Sequence, residues 1–314
     1  MRKKKHRQKR KIQPGSSPGA FPVLENQKKE ENFTLIRYNE NKASQLELDN
    51  IHQFKELRER DYVHWIVIKG VDNSRFIREI GNEFCLHPLV LEDIMDLSIR
   101  PKINDFDEYI FISVEVPVYE QETRELSEKQ LSLVVGPDYL ISFQENNNSF
   151  FAPVFDRILK NRGRIRRMKT DYLLYAVIDL VVDHFTLIME EFEEHIDRLE
   201  ETINSSDSRD ILSELYNNRH SLVTLRKAIL PVREIIRNLE RGYSEFINKN
   251  TIVFFRDVYD HSVHIIESIE SFREILSTTH DIYLSSISNK KTYSERANDS
   301  TDILRCSVNL LNSF

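Results

Sequence analysis

Cysteine is almost missing from this chain. Cys85 and Cys306 stand far apart, with no CxxC and no zinc-type spacing, which excludes a disulfide framework or structural zinc site and points to a reducing cytoplasm. Glycine and proline are scarce as well, seven and nine in 314 residues, a shortage that favours long helices over many turns. No nucleotide-binding glycine loop, GxSxG elbow, HExxH or EF-hand loop occurs. Without a base, a nucleophile and an oxyanion donor to assemble, no enzyme is expected. The longest apolar candidate, Tyr172 to Val182, is short and interrupted by Asp179, so no membrane-spanning helix of about 20 residues is expected in the chain as written. The N-terminus lacks the apolar core of a signal peptide.

What is present is charge. Thirty per cent of residues are Asp, Glu, Lys or Arg, with a mean hydropathy of -0.48 and a net charge of -7. That total hides an asymmetry. Residues 1–22 carry eight Lys and Arg and no acid, leaving 36 bases against 51 acids in the rest. Residues 1–29 are basic and then rich in Pro, Gly and Ser, the composition of a disordered tail. Such a tail can bind anionic headgroups or nucleic acid, but no aromatics interleave with its basic residues, so the expectation is a solvated tail without a nucleic-acid partner.

The remaining chain divides by periodicity. Over 30–168 strand patterns alternate with helical ones: Phe33 to Tyr38, Trp65 to Ile68 and Tyr109 to Val116 read as strands, and Leu131 to Val135, Gly136-Pro137-Asp138 and Tyr139 to Phe143 as a hairpin. Helical patterns cover about 43–59, 74–84, 88–95 and 153–167. An α/β/α domain with a mixed sheet is the economical architecture. Over 169–290 long antiparallel helices take over. Leu174, Ile178, Val181, Phe185, Ile188, Phe192, Ile196, Leu199 and Ile203 recur every three or four residues, a second helix spans about 211–241 with a kink at Pro231, and a third runs to Lys290. The third carries a narrow seam of Val258, Ile265, Ile269, Phe272, Leu276 and Tyr283 with Ser262, Thr279 and Ser286 in the same register. About 60 Å of helix with so narrow a seam reads as an oligomeric stalk. Residues 291–314 read as a polar tail.

The candidate chemistry is carboxylate at metal-friendly spacing. Asp257 and His261, Asp260 and His264, and Asp179 and Asp183 each lie i,i+4 on a helical face, and Glu92-Asp93 follows a short apolar run. Mg2+ needs only one or two carboxylates because it keeps its waters, and Co2+ or Ni2+ would also accept an imidazole such as His261. Solvated faces and ion pairs produce the same spacings. The acidic run Glu190, Glu191, Glu193, Glu194, Asp197, Glu200 and Glu201 reads as a solvated face, and His184 and His195 as surface or interface residues.

Taken together, the segments Leu86 to Ile94, Arg100-Pro101-Lys102-Ile103 with Phe106 and Tyr109, Asp171 to Tyr175 with Ile178-Asp179, Leu225 to Glu234, and Phe254 to His261 resemble the CorA family of magnesium and cobalt channels, in family order and over about residues 30–290. The resemblance implies an N-terminal α/β/α domain followed by long helices, five copies assembled into a funnel, and a divalent ion held between neighbouring cytoplasmic domains that keeps the channel closed. It implies Asp93 of one subunit opposite Asp257 of the next, and a second site of Glu92, Asp179 and His261. The family's membrane helices and Gly-Met-Asn loop have no counterpart after Lys290, so the expectation is the ion-sensing portion of a Mg2+/Co2+ channel without its pore. It would lie at the cytoplasmic face of the membrane, or in the cytoplasm as written. A frame shift near Lys290-Lys291 or a truncation would account for it. The alternative is a soluble Mg2+-dependent regulatory or scaffolding oligomer.

Overall fold

The computed structural model describes residues 33–120, 125–145, 149–203 and 210–311; the basic segment 1–29 lies outside them. The chain divides into two compact units, Met1–Ile188 with Leu225–Ile266, and Met189–Thr224 with Glu267–Phe314.

The first unit is built on a seven-stranded mixed sheet. Its strands are β1 (Phe33–Tyr38), β2 (Ala43–Leu48), β3 (Val63–Lys69), β4 (Lys102–Phe106), β5 (Tyr109–Glu120), β6 (Glu125–Val135) and β7 (Tyr139–Gln144), in the order β2-β1-β3-β7-β6-β5-β4. Only β3 and β7 pair in parallel. The central strands are buried on both faces, which is why Trp65-Ile66-Val67-Ile68 reads as a continuous apolar run and Tyr139 to Phe143 as one broken only by the buried Ser142. One face is covered by α1 (Ile51–Leu57), α2 (Ser74–Glu83) and α3 (Pro88–Met95), whose Phe54, Ile77, Ile80, Leu91 and Ile94 share a core with Phe33, Ile66, Phe111 and Ile141. The alternate side chains face the other way. There Trp65 meets Phe151 and Phe155 edge-on at 4.9 Å each, from the start and body of α4 (Ala152–Leu159).

Three departures from the sequence patterns have local causes. The helical pattern over 43–59 splits into β2 and α1, because Asn50 caps a new helix by accepting from the His52 N–H. The pattern over 153–167 stops at Leu159, where Asn161 and Gly163 take left-handed φ of 51° and 71°, and only a 3-10 turn, Ile165–Arg167, follows. Strand β4 starts at Lys102, inside the Arg100-Pro101-Lys102-Ile103 segment, and runs on to Phe106; its partly exposed residues show no clear alternation.

The long helices are α5 (Thr170–Ile203), α6 (Asp210–Glu240, with Pro231 inside it) and α7 (Lys249–Leu311), the last extending well past Lys290. Among the described residues one helix is long and apolar enough to cross a membrane. Within Thr170–Glu201 an 18-residue window reaches a mean hydropathy of 1.7, and 72% of that window is buried within the protein. This corrects the expectation from the interrupted run Tyr172 to Val182. The apolar stretch continues past Asp179 through Val181, Val182, Phe185, Leu187, Ile188 and Met189, and a core helix needs the same composition as a spanning one. Within the first unit α5 and α7 run parallel: Asp171 meets Asn248 and Thr251, and the rings of Tyr172 and Tyr175 pack edge-on or tilted against Phe254 and Phe255 at 5.1–6.1 Å. α6 runs against α7, Arg256 reaching Glu240 at 3.0 Å. In the second unit the seam of α7 buries Ile269, Leu276, Thr279 and Tyr283, and Thr279 donates to Glu200 at 3.0 Å.

Candidate functional site

Helix α3 starts where the sequence demands it. Pro88 occupies its first turn, where a missing N–H costs nothing, and His87 caps it, Nδ1 accepting from the Leu89 N–H at 3.2 Å. The cap is itself held. The His87 N–H donates to Tyr109 Oη at 2.9 Å, and the rings of His87, Phe106 and Tyr109 stack in series at 5.9 and 4.8 Å. This ladder places Glu92 and Asp93 one turn further along. Both are half-buried. Gln130 Nε2 donates to the Asp93 carbonyl at 3.1 Å, and Lys102 Nζ lies 2.5 Å from Asp93 Oδ2.

The other candidates lie on α5 and α7, on the α4 side of the sheet. Asp171 anchors them. It is 2% exposed, and its Oδ2 accepts from the Asn248 N–H at 3.0 Å, Asn248 Nδ2 at 2.9 Å and Thr251 Oγ1 at 2.6 Å. A carboxylate from α5 thus holds the positive end of α7. Two to three turns on, Asp179 is half-buried, and burial pushes its carboxyl up to about 6, with the Asp183 charge adding to the rise; Arg157, a hydrogen bond from Tyr175 and His261 pull the other way. Burial also raises Asp183, against the pull of His261. His184 is half-buried and lowered by burial, its ring 4.7 Å from Phe150, so it is a packed residue more than a surface one. Asp257 and His261 are exposed on α7.

The structure therefore sorts the five sequence candidates into two groups. Asp179 lies within electrostatic reach of His261 in one chain, with Asp183, which shares its helical face at i,i+4, and with Tyr175 and Arg157, which no spacing rule flags. Glu92 and Asp93 sit on α3, across the sheet from Asp257. Among the described residues no group of three or more His, Cys, Asp and Glu within this chain is arranged to hold a metal ion.

The chain is similar to known proteins in sequence and in fold. The family model for the CorA-like Mg2+ transporter protein matches residues 60–304. The cobalt/magnesium transport protein CorA of Thermotoga maritima is 34% identical over 276 residues, spanning 88% of this chain and 79% of that protein. Two solved structures share the fold. The complete CorA magnesium transporter of Methanocaldococcus jannaschii superposes with a TM-score of 0.67 at 18% identity, over 82% of this chain and 78% of that one; the soluble domain of the same transporter gives 0.67 at 17%, over 80% and 96%.

Proposed function

The chain belongs to the CorA-like Mg2+ transporter family, and we propose that it is the ion-sensing and gating portion of a divalent-cation transport system, working at the cytoplasmic face of the membrane. Mg2+ is the ion sensed, with Co2+ or Ni2+ accepted where His261 contributes. Asp93 of one copy and Asp257 of the next share the ion, and Glu92, Asp179 and His261 form a second site.

The observation that carries this reading is the placement of Asp93 and Asp257 on opposite sides of one sheet. Two different patches on opposite sides of a subunit make a head-to-tail contact, which forms a ring when the rotation between neighbours closes. A pentamer, as the resemblance implies, is the ring proposed. Mg2+ keeps several waters and needs one or two carboxylates, so one from each copy suffices. Empty, the two carboxylates repel; filled, they are bridged, so ion binding is coupled to how closely neighbours sit.

The test is Mg2+-dependent protection from proteolysis, with size-exclusion chromatography alongside. Asp93→Ala combined with Asp257→Ala is expected to abolish protection. Protection equal to that of the unaltered chain would remove both residues from the sensor role.

A further inference from the structure

The register of the edge strand brings a cation to Asp93. β4 pairs with β5 so that Lys102 lies opposite Ser113 and Asn104 opposite Phe111. Phe111 belongs to the core under α3, so alternation along the strand aims Lys102 toward α3 as well. Its Nζ lies 5.9 Å from the Phe111 ring centroid and ends 2.5 Å from Asp93 Oδ2. The two side chains are 39% and 18% exposed, and a pair this open adds little to stability. Nor does α3 depend on it: the His87 cap, the buried Val90, Leu91, Ile94 and Met95, and the Gln130 hydrogen bond already hold the helix.

We infer that Lys102 sets the affinity of the Asp93 site: its ammonium is an internal counter-ion that a divalent cation must displace to bind. The inference rests on the reading of Asp93 as an ion ligand and adds a regulatory element to it. An ammonium and a hard divalent ion compete for the same carboxylate oxygen. Even a displaced Lys102 leaves a positive charge on the order of 5 Å from the ion, enough to change affinity about tenfold. The site is then half-filled at a higher ion concentration than it would be without Lys102.

The experiment is a Mg2+ titration of the full 314-residue chain, read as the midpoint of protection from proteolysis, with thermal melts in chelator as the check of folding. Lys102→Met keeps the stem near Phe111 and removes the charge; it is expected to lower the midpoint about tenfold. Lys102→Arg keeps the charge and is expected to leave the midpoint unchanged. In the unaltered chain Mg2+ should also increase acetylation of Lys102, read by mass spectrometry, because the ammonium is released. This second readout does not depend on any variant folding. If Lys102→Met needs as much Mg2+ as the unaltered chain, or more, while Asp93→Ala abolishes protection, the inference is overturned and the reading of Asp93 stands. If Asp93→Ala is protected like the unaltered chain, the reading of Asp93 falls, and Lys102 acetylation indifferent to Mg2+ then overturns the inference too.

Discussion

Asp93 on α3 and Asp179 on α5 are both half-buried carboxylates, yet their surroundings treat the charge in opposite ways. Asp93 has a cation of its own at 2.5 Å, a capped helix beneath it and an aromatic ladder behind the cap. Asp179 has Asp183 one turn away, and the charges that favour its ionised form, Arg157 and His261, do not offset its burial. One region compensates its carboxylate internally; the other holds a carboxylate whose ionisation is costly until something positive arrives. A divalent ion would have to displace a cation at the first and would relieve a cost at the second, so the two candidate sites differ in what binding does to the protein that makes them.

The largest effect that could break this comparison is at the anchor of the α5 and α7 region. Asp171→Ala leaves the Asn248 N–H, Asn248 Nδ2 and Thr251 Oγ1 without their shared acceptor, and should cost about 3 kcal/mol in urea unfolding. A loss under 1 kcal/mol would show that the aromatic stack alone fixes the start of α7. Next is Asp179 itself. Its folded value of about 6 lies above the ordinary 3.8, so the stability it lends is fully present below 3.8 and is lost as pH rises through about 6. Asp179→Asn in chelator should therefore raise stability at pH 8 by about 1–2 kcal/mol, after allowing for partial exposure, and flatten the profile between pH 4 and 6. A destabilised Asn variant with an unchanged profile would mean that the carboxylate is compensated after all. On the α3 side, Tyr109→Phe removes the acceptor for the His87 N–H and should cost about 1 kcal/mol, measured by the same unfolding. The smallest effect belongs to Lys102→Met without divalent ions, below about 1 kcal/mol, since the pair is half open. A cost of several kcal/mol there would make Lys102 a structural residue and erase the contrast.

Much of this was legible in the chain. The strands Phe33 to Tyr38, Trp65 to Ile68 and Tyr139 to Phe143 announced themselves because both of their faces are buried. Of the seam, Val258, Ser262, Ile265, Ile269, Leu276, Thr279 and Tyr283 are buried in register, while Phe272 and Ser286 are only half-buried. β4 was not legible as a strand: at the sheet edge its burial is too partial to leave an alternating pattern. The candidate carboxylates could be read from spacing, but their partners could not. Lys102 is nine residues from Asp93 and belongs to a different element; Arg157 acts on Asp179 from another helix.

By itself the sequence determined most of the elements, the mixed sheet followed by long helices, the family, and which carboxylates lie together along one helix. Those properties depend on local periodicity, capping and motif order, which a linear chain carries whole. Only the tertiary structure decided that Asp93 and Asp257 occupy opposite sides of a sheet, that parallel α5 and α7 bring Asp179 within electrostatic reach of His261, and that Asp93 already has a cation. These depend on strand register and helix direction, which are set by long-range packing and leave no period in the sequence.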